Sequence, residues 1–201
     1  VSAFLLTRSS DLEINGCIGI KKATIHTPEV LTWFAGMENI EDVVLGDSVS
    51  TISDLSFNGC TGLTSIALPD GLSTIGANSF EGCAGLTGIT IPSMVTVGDF
   101  AFKGCAGLTE ITLPKAATVS MTAFNGCIGI KKATIHTPEV LTWFAGMENI
   151  EDVVLGDSVA NISDMAFNGC SGLTSIALPD GLATIGANSF EGCAGLTGIT
   201  I

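Results

Sequence analysis

The chain has 201 residues, 46% of them hydrophobic, with 25 glycines and no tyrosine. That apolar content excludes a disordered chain, and runs as short as Ala3–Leu6 exclude a membrane-spanning helix. Seven basic against twenty acidic residues give a formal charge of −13. Phosphate backbones and anionic membranes are repelled by such a surface, so nucleic acid is excluded as a partner and membrane insertion is not expected.

The N-terminal stretch Val1–Glu13 lacks both a basic start and a long apolar run, and so does not read as a signal peptide. It is also aperiodic, whereas the rest of the chain is not. An aromatic-x-Gly-Cys-x-Gly-Leu signature anchors at Cys17, Met37, Cys60, Cys83, Cys105, Cys127, Met147, Cys170 and Cys193, spaced by 20, 23, 23, 22, 22, 20, 23 and 23 residues. A period in this range marks a solenoid, in which one turn cannot bury its apolar face alone. The expectation is one domain over 1–201, with residues 1–13 as an end cap followed by nine turns. Ile14 takes the aromatic slot in the first of them.

A larger repeat overlies the small one. Residues 16–91 recur as 126–201, differing only at positions 50, 51, 55, 56, 61 and 73 of the first copy. The offset equals five whole turns, so the duplication keeps the phase of the solenoid, as a fold of nearest-neighbour contacts permits.

Two turns of 20 residues contain Thr27-Pro28-Glu29-Val30-Leu31-Thr32-Trp33-Phe34 and its copy Thr137–Phe144. This octet predicts a short helix. Threonine is the N-cap, proline occupies the first helical position, and the acid faces the positive end of the dipole. The turn from Leu63 shows the general plan. Leu63, Ile66 and Leu68 alternate as a strand's inward residues, Pro69 ends that strand, and Leu72 and Ile75 return to the core as a second, weaker strand. The span before Phe80 has room only for a 3₁₀ turn.

Eight phenylalanines, at 34, 57, 80, 102, 124, 144, 167 and 190, occupy one slot per turn and predict a stacked spine inside the solenoid. Glycine precedes every anchor, which predicts positive φ there. A second glycine two residues past the anchor is replaced by Asn39 and Asn149 in the methionine turns. The Gly/Asn choice predicts the left-handed region at this place too.

All seven cysteines share the anchor slot with methionine, which predicts buried free thiols. Neighbouring slots about 4.8 Å apart with parallel side chains do not suit a disulfide, and no pair has metal-ligand spacing. His26 and His136 lie five turns apart and cannot share a site. Glycine clusters such as Gly82-Cys83-Ala84-Gly85 lack the lysine and helix of a phosphate loop. No cofactor is expected, and the chain reads as non-enzymatic.

The strand L-x-x-I-x-L-P followed by an Ile-Gly step and F-x-G-C-x-x-L resembles the treponemal, or BspA-like, class of leucine-rich repeats. The resemblance covers all nine turns, with Met37 and Met147 departing from the cysteine consensus. It implies a leucine-rich-repeat solenoid, a right-handed curved superhelix with a parallel β-sheet on the concave face. Short strands, 3₁₀ turns and the two short helices fall on the convex side. Proteins of that class are surface-exposed or secreted products of host-associated microbes, linked to adhesion. The resemblance therefore implies a cell-surface, periplasmic or secreted location, and a protein partner such as a host extracellular-matrix or cell-surface protein.

Residues between the inward positions of each strand line the concave face and form the candidate binding set: Lys22, Thr24, Asp42, Val44, Ser65, Ala67, Thr90, Glu110, Thr112, Lys132, Thr134 and Asp152. Lys22 beside Asp42, and Lys132 beside Asp152, are expected to pair across adjacent turns. Recognition of a protein partner is the first reading. A structural or self-associating repeat spacer without a ligand is the alternative. It is favoured by the last strand, Leu196–Ile201, where no further turn covers Leu196, Ile199 and Ile201.

Overall fold

The computed structural model describes residues 3–6 and 19–200. The expected end cap falls largely outside them, as do Ile14, Gly16 and Cys17 of the first turn and the final Ile201. Of the cap, Ala3–Leu6 is a strand paired in parallel with Lys22–Ile25.

All but one of the described turns contribute a longer strand to the concave side. Ala3–Leu6, Lys22–Ile25, Asp42–Leu45 and Ser65–Ala67 form one parallel sheet. Glu110–Leu113, Lys132–Ile135, Asp152–Leu155, Ser175–Ala177 and Gly198–Thr200 form another. The expected strand at Leu63–Leu68 is therefore found in phase. Alternation does the positioning: in Glu110–Leu113 the residues run exposed, buried, exposed, buried, with Ile111 and Leu113 inward.

The weaker second strand is also present. Two-residue strands run in parallel from Glu29–Val30 through Thr51–Ile52, Thr74–Ile75 and Thr96–Val97 to Thr118–Val119. The series resumes at Glu139–Val140, Asn161–Ile162 and Thr184–Ile185.

Three expectations are corrected by the structure. The octets at Thr27 and Thr137 do not start helices at the threonine. Glu29–Val30 and Glu139–Val140 are strands, and the helical content is a single 3₁₀ turn at Thr32–Phe34 and at Thr142–Phe144. Thr27 Oγ1 donates to the Glu29 carbonyl at 2.8 Å, and the Pro28 carbonyl accepts from the N–H groups of Ser50 and Thr51. A helix over these residues would forfeit the bonds to the next turn, and short helices have little stability of their own to set against that loss.

The second correction concerns Leu86–Ile91, which is not a regular strand. Only Thr90 bridges to Thr112, and the concave sheet lapses at this turn.

The core is one continuous column. Phenylalanines 34 to 124 stack with centroids 5.1 to 5.4 Å apart. Phe144, Phe167 and Phe190 continue at 6.2 and 5.5 Å. Seven of these eight rings are fully buried and Phe190 is partly so. Trp143 packs edge-on against Phe144 and donates its indole N–H to the Ser120 carbonyl at 3.0 Å.

Glycine serves two different ends. The one before each anchor has φ of +71° to +78° at all eight described copies. That conformation points its N–H along the solenoid axis, so Gly36 donates to Asn58, Gly59 to Glu81 and Gly82 to Lys103 of the following turn. The second glycine is not left-handed, which corrects the sequence reading. It is required by contact: a Cβ on Gly85 would lie 2.5 Å from the Thr61 carbonyl oxygen of the preceding turn. Left-handed residues occur instead at Leu55, Asn78, Phe100, Met165 and Asn188, with φ of 55° to 61°.

Candidate functional site

The twelve candidate residues fall where the alternation places them. Strand register sets Lys22 against Asp42 and Asp42 against Ser65, with Thr24, Val44 and Ala67 in the neighbouring row. Further along, Glu110 faces Lys132, Lys132 faces Asp152, and Thr112, Thr134 and Val154 align beside them. Lys22 Nζ meets Asp42 at 3.2 Å, and Lys132 Nζ meets Asp152 at 3.2 Å. A parallel outer row pairs Lys21 with Glu41 and Lys131 with Glu151. Every one of these pairs is well exposed, so each contributes on the order of ~0.2–1 kcal/mol.

The structure gathers seven of the twelve around one hollow of about 670 Å³ on the concave face: Asp42, Val44, Ser65, Ala67, Thr90, Glu110 and Thr112. Lys22, Thr24, Lys132, Thr134 and Asp152 flank it along the same rows. The hollow lies where the sheet lapses, and Gly88 is at its centre. A Cβ placed on Gly88 would meet nothing within 4 Å, and its φ is not positive. Unlike Gly59 or Gly85, this glycine answers to neither backbone geometry nor a close neighbour. The sequence signal was present, since Gly88 stands in the same row as Ser65 and Glu110. What could not be read there was that the space above it is empty.

Glu110 forms no ion pair among the described residues, because its register neighbour Lys132 is engaged by Asp152. Asp42 is held by Lys22. The floor is apolar and open, with Val44 50% exposed.

Elsewhere the polar side chains are tied to structure. Glu81 accepts from Lys103 at 2.8 Å and from Asn78 at 2.7 Å. The lysine bond comes first among the causes that hold its carboxyl below the usual range. The imidazoles of His26 and His136 lie over Gly46 and Gly156 of the next turn.

The described thiols are tied to the backbone. Every described thiol donates to the carbonyl of the phenylalanine one turn earlier, Cys60 to Phe34 at 3.0 Å and Cys83 to Phe57 at 3.1 Å. Burial pushes the thiols of Cys60 and Cys170 up to about 12. This bond was not foreseen from sequence, where the slot reads simply as apolar. Among the described residues no group of His, Cys, Asp and Glu could hold a metal ion, and no helix is long and apolar enough to cross a membrane.

Residues 32–143 and 141–201 match the BspA type leucine-rich repeat region. The chain belongs to that family. Its solved relatives are bacterial. A leucine-rich cell surface protein of Faecalibacterium prausnitzii is 34% identical, with a TM-score of 0.62 over 75% of this chain. The chain spans 42% of that protein's length. A leucine-rich repeat protein of Treponema pallidum shares the fold at 24% identity and a TM-score of 0.61, over 96% of this chain and 77% of its own. Another, from Eubacterium ventriosum, shares it at 18% identity and a TM-score of 0.51, over 94% and 80%. No curated protein sequence matches the chain. A BspA-type solenoid is typically a scaffold for interaction, and the family is consistent with a protein-interaction module.

Proposed function

We propose that the chain is a single-domain, non-catalytic recognition module of a bacterial surface or secreted protein, which binds a host extracellular-matrix or cell-surface protein through its concave face. One observation carries the reading. A hollow of about 670 Å³ lies on that face, and its lining includes a glycine whose φ is not positive and whose Cβ position is open. The acid-rich surface, the family and the cell-surface relative support the location and the class of partner.

The test is biolayer interferometry of the protein against a panel of matrix and cell-surface proteins, with Ala67→Arg and Thr112→Arg as concave variants and Ser48→Arg as a control elsewhere. A partner whose binding falls at least tenfold in both concave variants, but not in the control, supports the reading. Equal loss in all three, or none, overturns it.

A further inference from the structure

Resting on the concave-face reading, we propose that the hollow over Gly88 takes a lysine or arginine side chain from an extended segment of the protein partner, with Glu110 as the anion that receives it.

Three observations converge. The first is space. Gly88 leaves a side-chain-sized void between Ser65 and Glu110, opening into about 670 Å³. The second is charge. Glu110 is exposed and without an ion pair among the described residues, and the other charges of its row are matched as Lys22–Asp42 and Lys132–Asp152. Among the described charged residues of that row, Glu110 alone lacks an ion pair. A guanidinium or ammonium meets its carboxylate with a charge-assisted bond. The third is the floor. Val44 and Ala67 are exposed in the adjoining row. The aliphatic stem of lysine or arginine packs on such a surface while its head reaches a polar rim. Asp42 and Glu110 stand three turns apart, about 14 Å at the spacing of neighbouring strands, which admits a side chain lying along the row. A formal charge of −13 further favours a basic partner segment over an acidic one.

Gly198 occupies the equivalent place in the second copy with the same open space.

Selection from a phage-displayed random dodecapeptide library tests this, run on the wild type, Gly88→Trp, Glu110→Gln and Glu110→Lys, each checked for unaltered circular dichroism. Wild-type binders are expected to share a lysine or arginine at a fixed position. Their synthetic peptides should bind Gly88→Trp at least tenfold more weakly, and Glu110→Gln about five- to tenfold more weakly. Glu110→Lys should select acidic residues at that position instead. Binders lost in Gly88→Trp but without a basic consensus would overturn the cation and leave the concave-face reading standing. Binders indifferent to Gly88→Trp and both Glu110 variants, or no binders at all, would count against both.

Discussion

At the scale of single residues, the slot before each spine phenylalanine shows how much one hydroxyl matters. It holds Ser56, Ser79, Ala101, Ala123, Ala166 and Ser189, and the tryptophans of the two short turns. Ser56 Oγ lies within hydrogen-bond reach of the carbonyls of Val30 and Ser53, at 2.8 and 2.7 Å, and its one proton is shared between them. Ser79 Oγ is buried with no partner among the described residues, and an unmet buried hydroxyl costs on the order of ~1–3 kcal/mol. Ser79→Ala is therefore expected to raise stability by about 1 kcal/mol, whereas Ser56→Ala lowers it by a similar amount. Paired urea denaturation curves would show the opposite signs, and a loss in both would contradict the account.

Thiols give a second test at this scale. The folded state holds Cys60 and Cys170 protonated up to about pH 12, while an unfolded thiol ionises near ~8.5. The folded pKa is raised, so this stabilisation is complete below the unfolded value and is lost as pH rises toward the folded one. Melting temperature should accordingly fall steadily from about pH 9 to pH 11. A native protein at neutral pH should resist thiol labelling at Cys60, Cys83, Cys105 and Cys170, with the half-buried Cys193 reacting first. Rapid labelling of all of them without unfolding would refute the buried, carbonyl-bound thiols.

At the scale of the element, one turn is held to its neighbours by three lines of backbone hydrogen bonds: the concave strands, the short second strands and the Phe-x-Gly loops. The loop bonds run from an earlier N–H to a later carbonyl, as from Gly59 to Glu81, while the flanking bonds of the second strands run the other way, as from Gly76 to Ile52. Close approach in the loop requires both glycines of the signature, for different reasons. Gly59→Ala strains a left-handed residue and should cost about 1–2 kcal/mol. Gly85→Ala drives a methyl into the Thr61 carbonyl and should cost more, at least about 2–3 kcal/mol, because two turns must separate to admit it. Thermal denaturation ranks the two variants, and an equal or reversed order would mean the turns are not locked at Gly85.

At the scale of the whole molecule, the described ion pairs lie at the surface, and the net charge is −13. Self-repulsion among the remaining carboxylates outweighs a few exposed pairs, each of little worth. Raising sodium chloride from about 0.02 to 0.5 M, which shortens the screening length to a few ångströms, is expected to raise the melting temperature. A fall with salt would mean that the lysine–carboxylate rows contribute more than their exposure suggests.

Period, phase and inward face were legible in the residues because each turn repeats the same local demand. Leu63, Ile66 and Leu68 must face inward wherever the motif recurs, and the stacking of Phe57 on Phe80 follows from equal spacing. The pairing of Lys22 with Asp42 was legible for the same reason, since register follows from phase. What sequence could not supply was any outcome that depends on the turn next door. Thr27-Pro28-Glu29 has the local chemistry of a helix start and becomes strand, because the carbonyls of Pro28 and Val30 are needed by the following turn. The second glycine reads as a left-handed residue and is in truth a contact residue, a distinction visible only when the carbonyl of Thr61 is in place. The hexapeptide Leu86–Ile91 is identical to Leu196–Ile201, yet Gly198–Thr200 is a strand while Gly88–Thr90 keeps a single bridge. Identical local preferences with different outcomes leave the neighbours to decide, and they also decide that an open space lies above Gly88.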